Sequence, residues 1–509
     1  MGSVKEMVSI TERKNMANKV LTGERAISSL MMDMPGMVCK HGCSYVACRG
    51  LVLTPISGIL IITHGPVGCS YYSWGGNRLR HQAANAQHDY FSNSFSTHMD
   101  ESDIIFGGEK KLKQAIKEAV EIFRPPVIAI CSTCPIGLIG DDVQSIAEAA
   151  EKEYGVKVIS FSCEGFRSIP GYRIANMGII ENVIGTGQNN VGKYPVNIIG
   201  EFYNGQRAKE IARIFKHIGY DIVAVLMGDG NYDDLKNAHQ AKLNLFNSDK
   251  VVADLVEVMQ DKFGTDWMGF NFIGLDNIIN SLKNMADFFG TPELLSKTED
   301  LIADELAKIQ DSMDDYKMKL KNRIAVIQED EFVSRHYQAL FSDLDVNPVM
   351  VGNELFCRPG QNEMSFMSAV ERGCSTPDTK LGVRYDTDLE HYHINLPVRL
   401  YEQIKTKTTI NDTNGVHSKM AYDSILIPNL THGETEQLLN TIQPDIYFPG
   451  IKENFAGVGT GYRSCFFNAD DYRFDYGGFR GAIHFAQDLL MAINMSVWQN
   501  NVAPWKIDQ

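Results

Sequence analysis

The 509-residue sequence holds little of what marks an exported, membrane-embedded or nucleic-acid-binding chain. Cysteine is scarce: 10 residues are far too few for a disulfide scaffold. Basic residues are outnumbered, 48 Lys and Arg against 63 Asp and Glu, and the net charge of −15 excludes a general electrostatic grip on nucleic acid. Long apolar runs are missing too. The best of them, 51–67, is broken by Pro55, Thr63, His64 and Pro66 and falls short of a bilayer-spanning helix. The opening stretch, MGSVKEMVSITERKNMANK, is charged and has no apolar signal core, so the expected location is cytoplasmic with no membrane partner.

What remains is the composition of an ordinary folded protein, 44% hydrophobic and 22% charged, with a length that predicts two to four domains. Apolar strand-like runs at 59–65, 126–134, 157–163, 197–202 and 222–228 alternate with amphipathic helical stretches at 108–123, 141–155 and 204–219. That rhythm predicts parallel sheets covered by helices. The pattern restarts with a helix over 234–263. It restarts again after a long charged helix, 291–321, whose Thr291 and Pro292 suit a helix start. Further strands are expected at 323–330, 347–354, 424–430 and 445–451, and a last helix at 480–495. The expected fold class is therefore α/β, with three Rossmann-like parallel-sheet domains flanked by helices. The expected division is an N-terminal extension (1–38), a first domain (39–195 with 476–509), a second (196–322) and a third (323–475). The segment 355–420 is polar and shows no placeable pattern.

The cysteines are few but clustered. Cys39, Cys43, Cys48 and Cys69 crowd one short region, and Cys131, Cys134 and Cys163 follow. In open α/β sheets, ligands collect where loops leave the carboxyl ends of strands. One such strand runs into His64-Gly65-Pro66-Val67-Gly68-Cys69 and another into Cys131-Ser132-Thr133-Cys134-Pro135-Ile136-Gly137, while Gly42-Cys43 lies in a third loop upstream. Glycines beside cysteines let a thiolate and backbone N–H groups approach an inorganic cluster closely, which makes Gly42, Gly68 and Gly137 candidate cofactor-binding positions. Three thiolates can meet at one metal centre, whose fourth ligand then comes most simply from a partner chain. A cysteine at a strand end is otherwise a small buried hydrophobe, and a structural zinc is the simpler metal alternative.

Several motifs in order resemble the α subunit of nitrogenase component 1: HGPVGC (64–69), CPIGLIGDD (134–142), CEGFR (163–167), IAN (174–176), KLNL (242–245), GIKENF (450–455) and a closing AP-W. The resemblance implies that Cys43, Cys69 and Cys134 hold an iron–sulfur relay cluster, P-cluster-like with eight irons or a 4Fe–4S cube, at the interface with a homologous β-type subunit in an α2β2 assembly. It implies electrons from a separate ATP-hydrolysing iron protein, and this chain accordingly has no Walker A sequence. It also frames a departure. Where dinitrogen-reducing α chains bind the two ends of a large active-site cofactor with Cys and His, this sequence has Ser248 and Asn468. Lys452, which helps hold that cofactor in the family, is kept. Tyr172 stands in place of a cofactor-facing His.

Hydroxyl and amide are poor ligands for soft iron–sulfur clusters. The expectation is therefore an α-type subunit of a nitrogenase-like iron–sulfur oxidoreductase acting on a substrate other than, or besides, dinitrogen. Ser248, Lys452 and Asn468 would bound its cavity, with a second large iron–sulfur cofactor as a further possibility. The alternative is a scaffold subunit for cofactor assembly. Among other residues, Asp141 and Asp142 are read as helix-capping carboxylates, and His391 and His393 as a solvated loop pair.

Overall fold

The computed structural model describes residues 43–75, 94–165, 171–200, 205–228, 230–246, 249–321, 323–328, 339–350, 384–386, 391–395, 423–425, 439, 444–449 and 476–495. The chain divides into two compact units, one running from residue 41 to 270 and the other holding the described residues from 271 onward.

The first unit is built on two four-stranded parallel sheets. The leading sheet has the order β2-β1-β3-β4, with β1 at Ile59–His64, β2 at Phe95–Ser96, β3 at Val127–Ser132 and β4 at Lys157–Phe161. Every residue of β1 and β3 is buried, which is why both read as unbroken apolar runs rather than alternating ones. The helices between them show the complementary pattern. Helix Glu109–Phe123 buries Leu112, Ile116 and Ala119, spaced four and three apart on one face, and helix Val143–Tyr154 buries Val143, Ile146, Ala147 and Ala150. These side chains join Leu60, Ile62, Ile128, Ile130 and Val158 in one continuous core.

The second sheet, β6-β5-β7-β8, is formed by Pro195–Ile199 (β5), Asp221–Leu226 (β6), Leu243–Phe246 (β7) and Asp266–Gly269 (β8), again all parallel. Here the single helix expected over 234–263 is corrected. The chain instead makes a short helix Tyr232–Leu235, the buried strand β7 and then helix Asp249–Phe263. The reason lies in β7 itself. Leu243 and Leu245 fill the core, while Asn244 on the other face is fully buried and accepts a 2.8 Å hydrogen bond from Asn197 of β5.

In the second unit, Ile324–Gln328 (β9), Asn347–Met350 (β10) and Ile446–Pro449 (β14) form a parallel sheet in the order β10-β9-β14. Asp445 clamps its start, accepting from the Arg323 guanidinium at 2.7 Å and from the Ile324 N–H at 2.9 Å. Phe341, Phe448, Phe485 and Tyr476 pack edge to face at 4.9–5.2 Å between centroids, the arrangement that aromatic quadrupoles favour. Helix Gly481–Asn494 packs on the long helix Pro292–Leu320. The segment without a legible pattern contains strands Arg384–Asp386 (β11) and His391–Asn395 (β12), which form an antiparallel sheet with Asp423–Ile425 (β13). His391 and His393 are thus strand residues, paired with Asp386 and Arg384, and not a loop pair.

Ile130 sits at the centre of β3 with no exposed surface. Ile130→Ala is expected to cost about 2–5 kcal/mol through lost burial and an unfilled cavity. The check is a lowered urea midpoint with an unchanged slope.

Candidate metal centre

Parallel strands deliver their carboxyl ends to one edge of the sheet, and the cysteines gather there. β1 ends at His64, and the chain turns at Gly65, where a side chain would fall on Thr133. Helix Val67–Gly75 then begins, with Cys69 in its first turn and the Ser73 hydroxyl donating to the Cys69 carbonyl at 2.7 Å. β3 ends at Ser132. Thr133 follows as the N-cap of helix Cys134–Ile139, with its hydroxyl and its N–H both donating to the His64 carbonyl at 2.9 and 3.1 Å. β4 ends at Phe161 and leads through Cys163 and Glu164 to Gly165. Cys43 comes from a further segment, just ahead of the π-helical turn Val46–Leu53.

The segments of Cys43, Cys134 and Gly165 close on one spot. The Gly165 N–H donates to the Cys134 sulfur at 3.2 Å. A carbon added at Gly165 would lie 2.7 Å from the Cys43 sulfur and 3.2 Å from that of Cys134, so both sulfurs crowd the same bare backbone. Cys69 feels both. Burial pushes its thiol up, and the charges of Cys134 and Cys43 push it further. Cys43 is exposed, and Cys69 and Cys134 are half-buried. Two soft donors at a glycine cradle, with Cys69 near enough to feel both, suit an iron–sulfur cluster completed from outside the chain.

Gly68 and Gly137 are less exacting than the sequence implied. A side chain at Gly68 would meet nothing within 4 Å, and Gly137 is exposed on its helix. The glycine that matters sterically is Gly165, whose signal was its place four residues past the end of β4. Gly42, Ser248, Lys452 and Asn468 lie outside the described residues, so the cavity they were expected to bound is not described. Tyr172 is half-buried in the first turn of helix Gly171–Asn182.

A second trio of cysteines is buried in the same unit. The sulfurs of Cys48, Cys131 and Cys163 are all within 4.8 Å of one another, and all three residues are buried. Burial raises the Cys131 thiol, but hydrogen bonds from Cys163 and Cys48 and the Arg49 charge outweigh it and hold it well below the ordinary thiol range. Cys48 is pushed well up, by burial first and then by its bond to Cys131. Sequence reasoning noted the nearness of Cys48 and Cys131 to the other cysteines but did not group them with Cys163.

A buried histidine fixes the loops. His64 Nδ1 lies 3.0 Å from the Thr97 hydroxyl and Nε2 lies 3.2 Å from Asp141, whose same oxygen accepts from the Gly108 N–H at 2.8 Å. Asp142 alone acts as a helix cap, accepting from the Ser145 N–H at 3.0 Å. Asp141 instead ties the loop after β1 to the loop after β3.

The match to known proteins follows the same segments. The family model for nitrogenase component 1 type oxidoreductase covers residues 43–494, and this chain belongs to that family. It is 36% identical to the nitrogenase molybdenum-iron protein alpha chain of Clostridium pasteurianum, over 93% of this chain and 89% of that one. It is 35% identical to the corresponding chain of Methanosarcina barkeri, over 99% and 95% of the two. The iron-molybdenum cofactor biosynthesis protein NifE of Clostridium pasteurianum is 30% identical over 92% of this chain and 90% of its own length. Among solved structures, nitrogenase Cp1 at pH 5 superposes with a TM-score of 0.75 at 35% identity, over 93% of this chain and 92% of that chain.

The His64 tie has a pH signature. Burial depresses the imidazole below its usual value, against the opposing pull of Asp141, Asp103 and Glu109. Below about pH 6.5 the unfolded chain takes up a proton that the native site resists, so this contribution is intact above that pH and lost as pH falls. The loss approaches about 1.4 kcal/mol per pH unit. Stability measured from pH 7.5 to 5 is expected to fall less steeply in His64→Gln than in the wild type.

Proposed function

We propose that this chain is the α-type subunit of a nitrogenase-like reductase. Cys43, Cys69 and Cys134 would hold one side of an iron–sulfur cluster completed by a homologous β-type subunit. An ATP-hydrolysing iron protein would supply the electrons. The observation that supports this reading is the meeting of the Cys43 and Cys134 sulfurs at Gly165, with Cys69 near enough to feel both, on elements whose outward faces are apolar. Val46 and Leu51 stand on the turn that follows Cys43, Val67, Tyr71 and Tyr72 stand on the Cys69 helix, and Leu138 stands on the Cys134 helix, all exposed. An apolar rim around an incomplete ligand set is what a partner chain would cover.

The chain's own residues divide the work. The cluster, when bound, supplies one-electron storage and transfer. Cys69 and Cys134 grip it from the first turns of two helices, and Cys43 grips it from the third side. Gly165 leaves room for sulfur and directs an N–H at Cys134, the kind of hydrogen bond that tunes a cluster's potential. His64, Thr133 and Asp141 hold the loops so that the donors do not move as charge changes.

The substrate side reads differently from that of a dinitrogen-reducing chain. Ser248 and Asn468 replace thiolate and imidazole with poor ligands for soft metal, while Lys452 keeps a cation in the cavity. This favours a substrate other than, or besides, dinitrogen. The second reading is a scaffold that binds a cofactor precursor and releases it. It is favoured by Asn468, a weak ligand suited to release, and by the similarity to NifE.

Anaerobic purification with the partner chain and metal counting tests the assignment. About four to eight irons per pair, with no heterometal, would match the relay cluster alone. Cys69→Ala or Cys134→Ala is expected to remove that iron and weaken the heteromer; full iron content in either variant would refute the ligand assignment. Gly165→Ala, which forces a methyl group against two ligand sulfurs, is expected to lower bound iron several-fold without changing the total thiol count. ATP-dependent reduction with the iron protein marks the reductase, and transfer of a bound cluster to another apo-protein marks the scaffold.

A further inference from the structure

We propose that Cys48, Cys131 and Cys163 form a buried three-thiolate site for a single divalent thiophilic cation, zinc or ferrous iron, separate from the outer trio. The geometry is the first support. Metal–thiolate bonds of ~2.3 Å place the sulfurs of one ion about 3.8–4.0 Å apart. The three sulfurs here already lie within 4.8 Å of one another, and none of the three is part of the outer set. A small inward movement of each side chain brings them to bonding distance.

The second support is a buried cation beside the trio. Arg49 follows Cys48 directly and is only 1% exposed. One of its nitrogens donates to the Ser94 hydroxyl at 2.9 Å, but Nε and Nη1 have no hydrogen-bond partner among the described residues. A guanidinium keeps its charge even when buried, and beside the Cys131 sulfur it favours anionic sulfur at this site. Three thiolates around a divalent ion carry one net negative charge, which one guanidinium balances. Monovalent copper would leave two negative charges against the same cation. On binding, the thiols give up their protons to solvent, and no electron changes hands.

The position of the trio gives the ion a role. Cys48 is five residues past Cys43, Cys131 three before Cys134 and Cys163 two before Gly165. The inner trio thus joins the same segments that present Cys43, Cys134 and the glycine cradle. A bound ion would lock them together before any outer cluster arrives.

The test uses the full chain with its partner subunit, purified anaerobically. With Cys43, Cys69 and Cys134 all changed to alanine, about one zinc or iron per chain is expected to remain. It should be displaceable by Co2+ with a thiolate-to-cobalt charge-transfer absorption. Adding Cys163→Ser to that background is expected to abolish both signals. If the triple variant does not fold, Cys163→Ser alone in the otherwise native complex is expected to lose one metal equivalent while keeping the outer cluster's iron. A folded triple variant with no metal and no cobalt–thiolate band would overturn the proposal. So would a disulfide between two of the inner cysteines in the native protein, or an unchanged metal count in Cys163→Ser.

Discussion

Strands that run the same way must end on the same side, and much of this molecule's chemistry follows from that constraint. β1, β3 and β4 are adjacent and parallel, so the loops after them emerge together. The chain departs from β1 to β2 on one flank and returns to β3 on the other, which opens a crevice at that edge. Cys134 and Gly165, distant in sequence, therefore touch, with Cys69 near enough to feel the Cys134 charge. The fully buried cores of β1 and β3 keep the edge from shifting, because moving either strand by one residue would turn its apolar side chains out of register with both neighbours.

The loops need their own fastening, since a core cannot hold what lies beyond it. Here the fastening is polar and almost fully paired. The His64 carbonyl accepts from Thr133, and the His64 ring bridges Thr97 and Asp141. Such networks are strong when every member is satisfied, and they fix one arrangement where packing alone would permit several. The sulfur donors are thereby held in place ahead of any metal. That preorganisation would let the proposed cluster change charge with little movement of its surroundings.

Much of this was legible in the sequence because the leading sheet obeys simple rules. The βα alternation located β1, β3, β4, β5 and β6 to within a few residues, and the periodicity of 109–123 and 143–154 marked their helices. The Leu243–Phe246 strand was hidden because four residues leave no measurable period, and Asn244 at its centre looks like a polar helix position. Its partner Asn197 lies on another strand, so the hydrogen bond that justifies burying it has no local trace. The small antiparallel sheet of β11, β12 and β13 was invisible for a similar reason: its pairing is set by neighbours rather than by an apolar pattern. At the candidate metal centre, cysteine beside glycine singled out Cys43, Cys69 and Cys134 as candidates. The steric demand at Gly165 appears only when two other segments arrive beside it.

The apolar side chains around the outer trio carry a consequence for the life of the chain in a cell. Tyr71 is 62% exposed, Tyr72 79% and Leu138 77%, a greasy rim that water wets poorly. A newly made copy without a mate would tend to clump with others like itself. With the β-type partner proposed above, synthesis of the two chains would have to be matched in time and amount, and any surplus of this one would burden the chaperones and proteases that clear orphans.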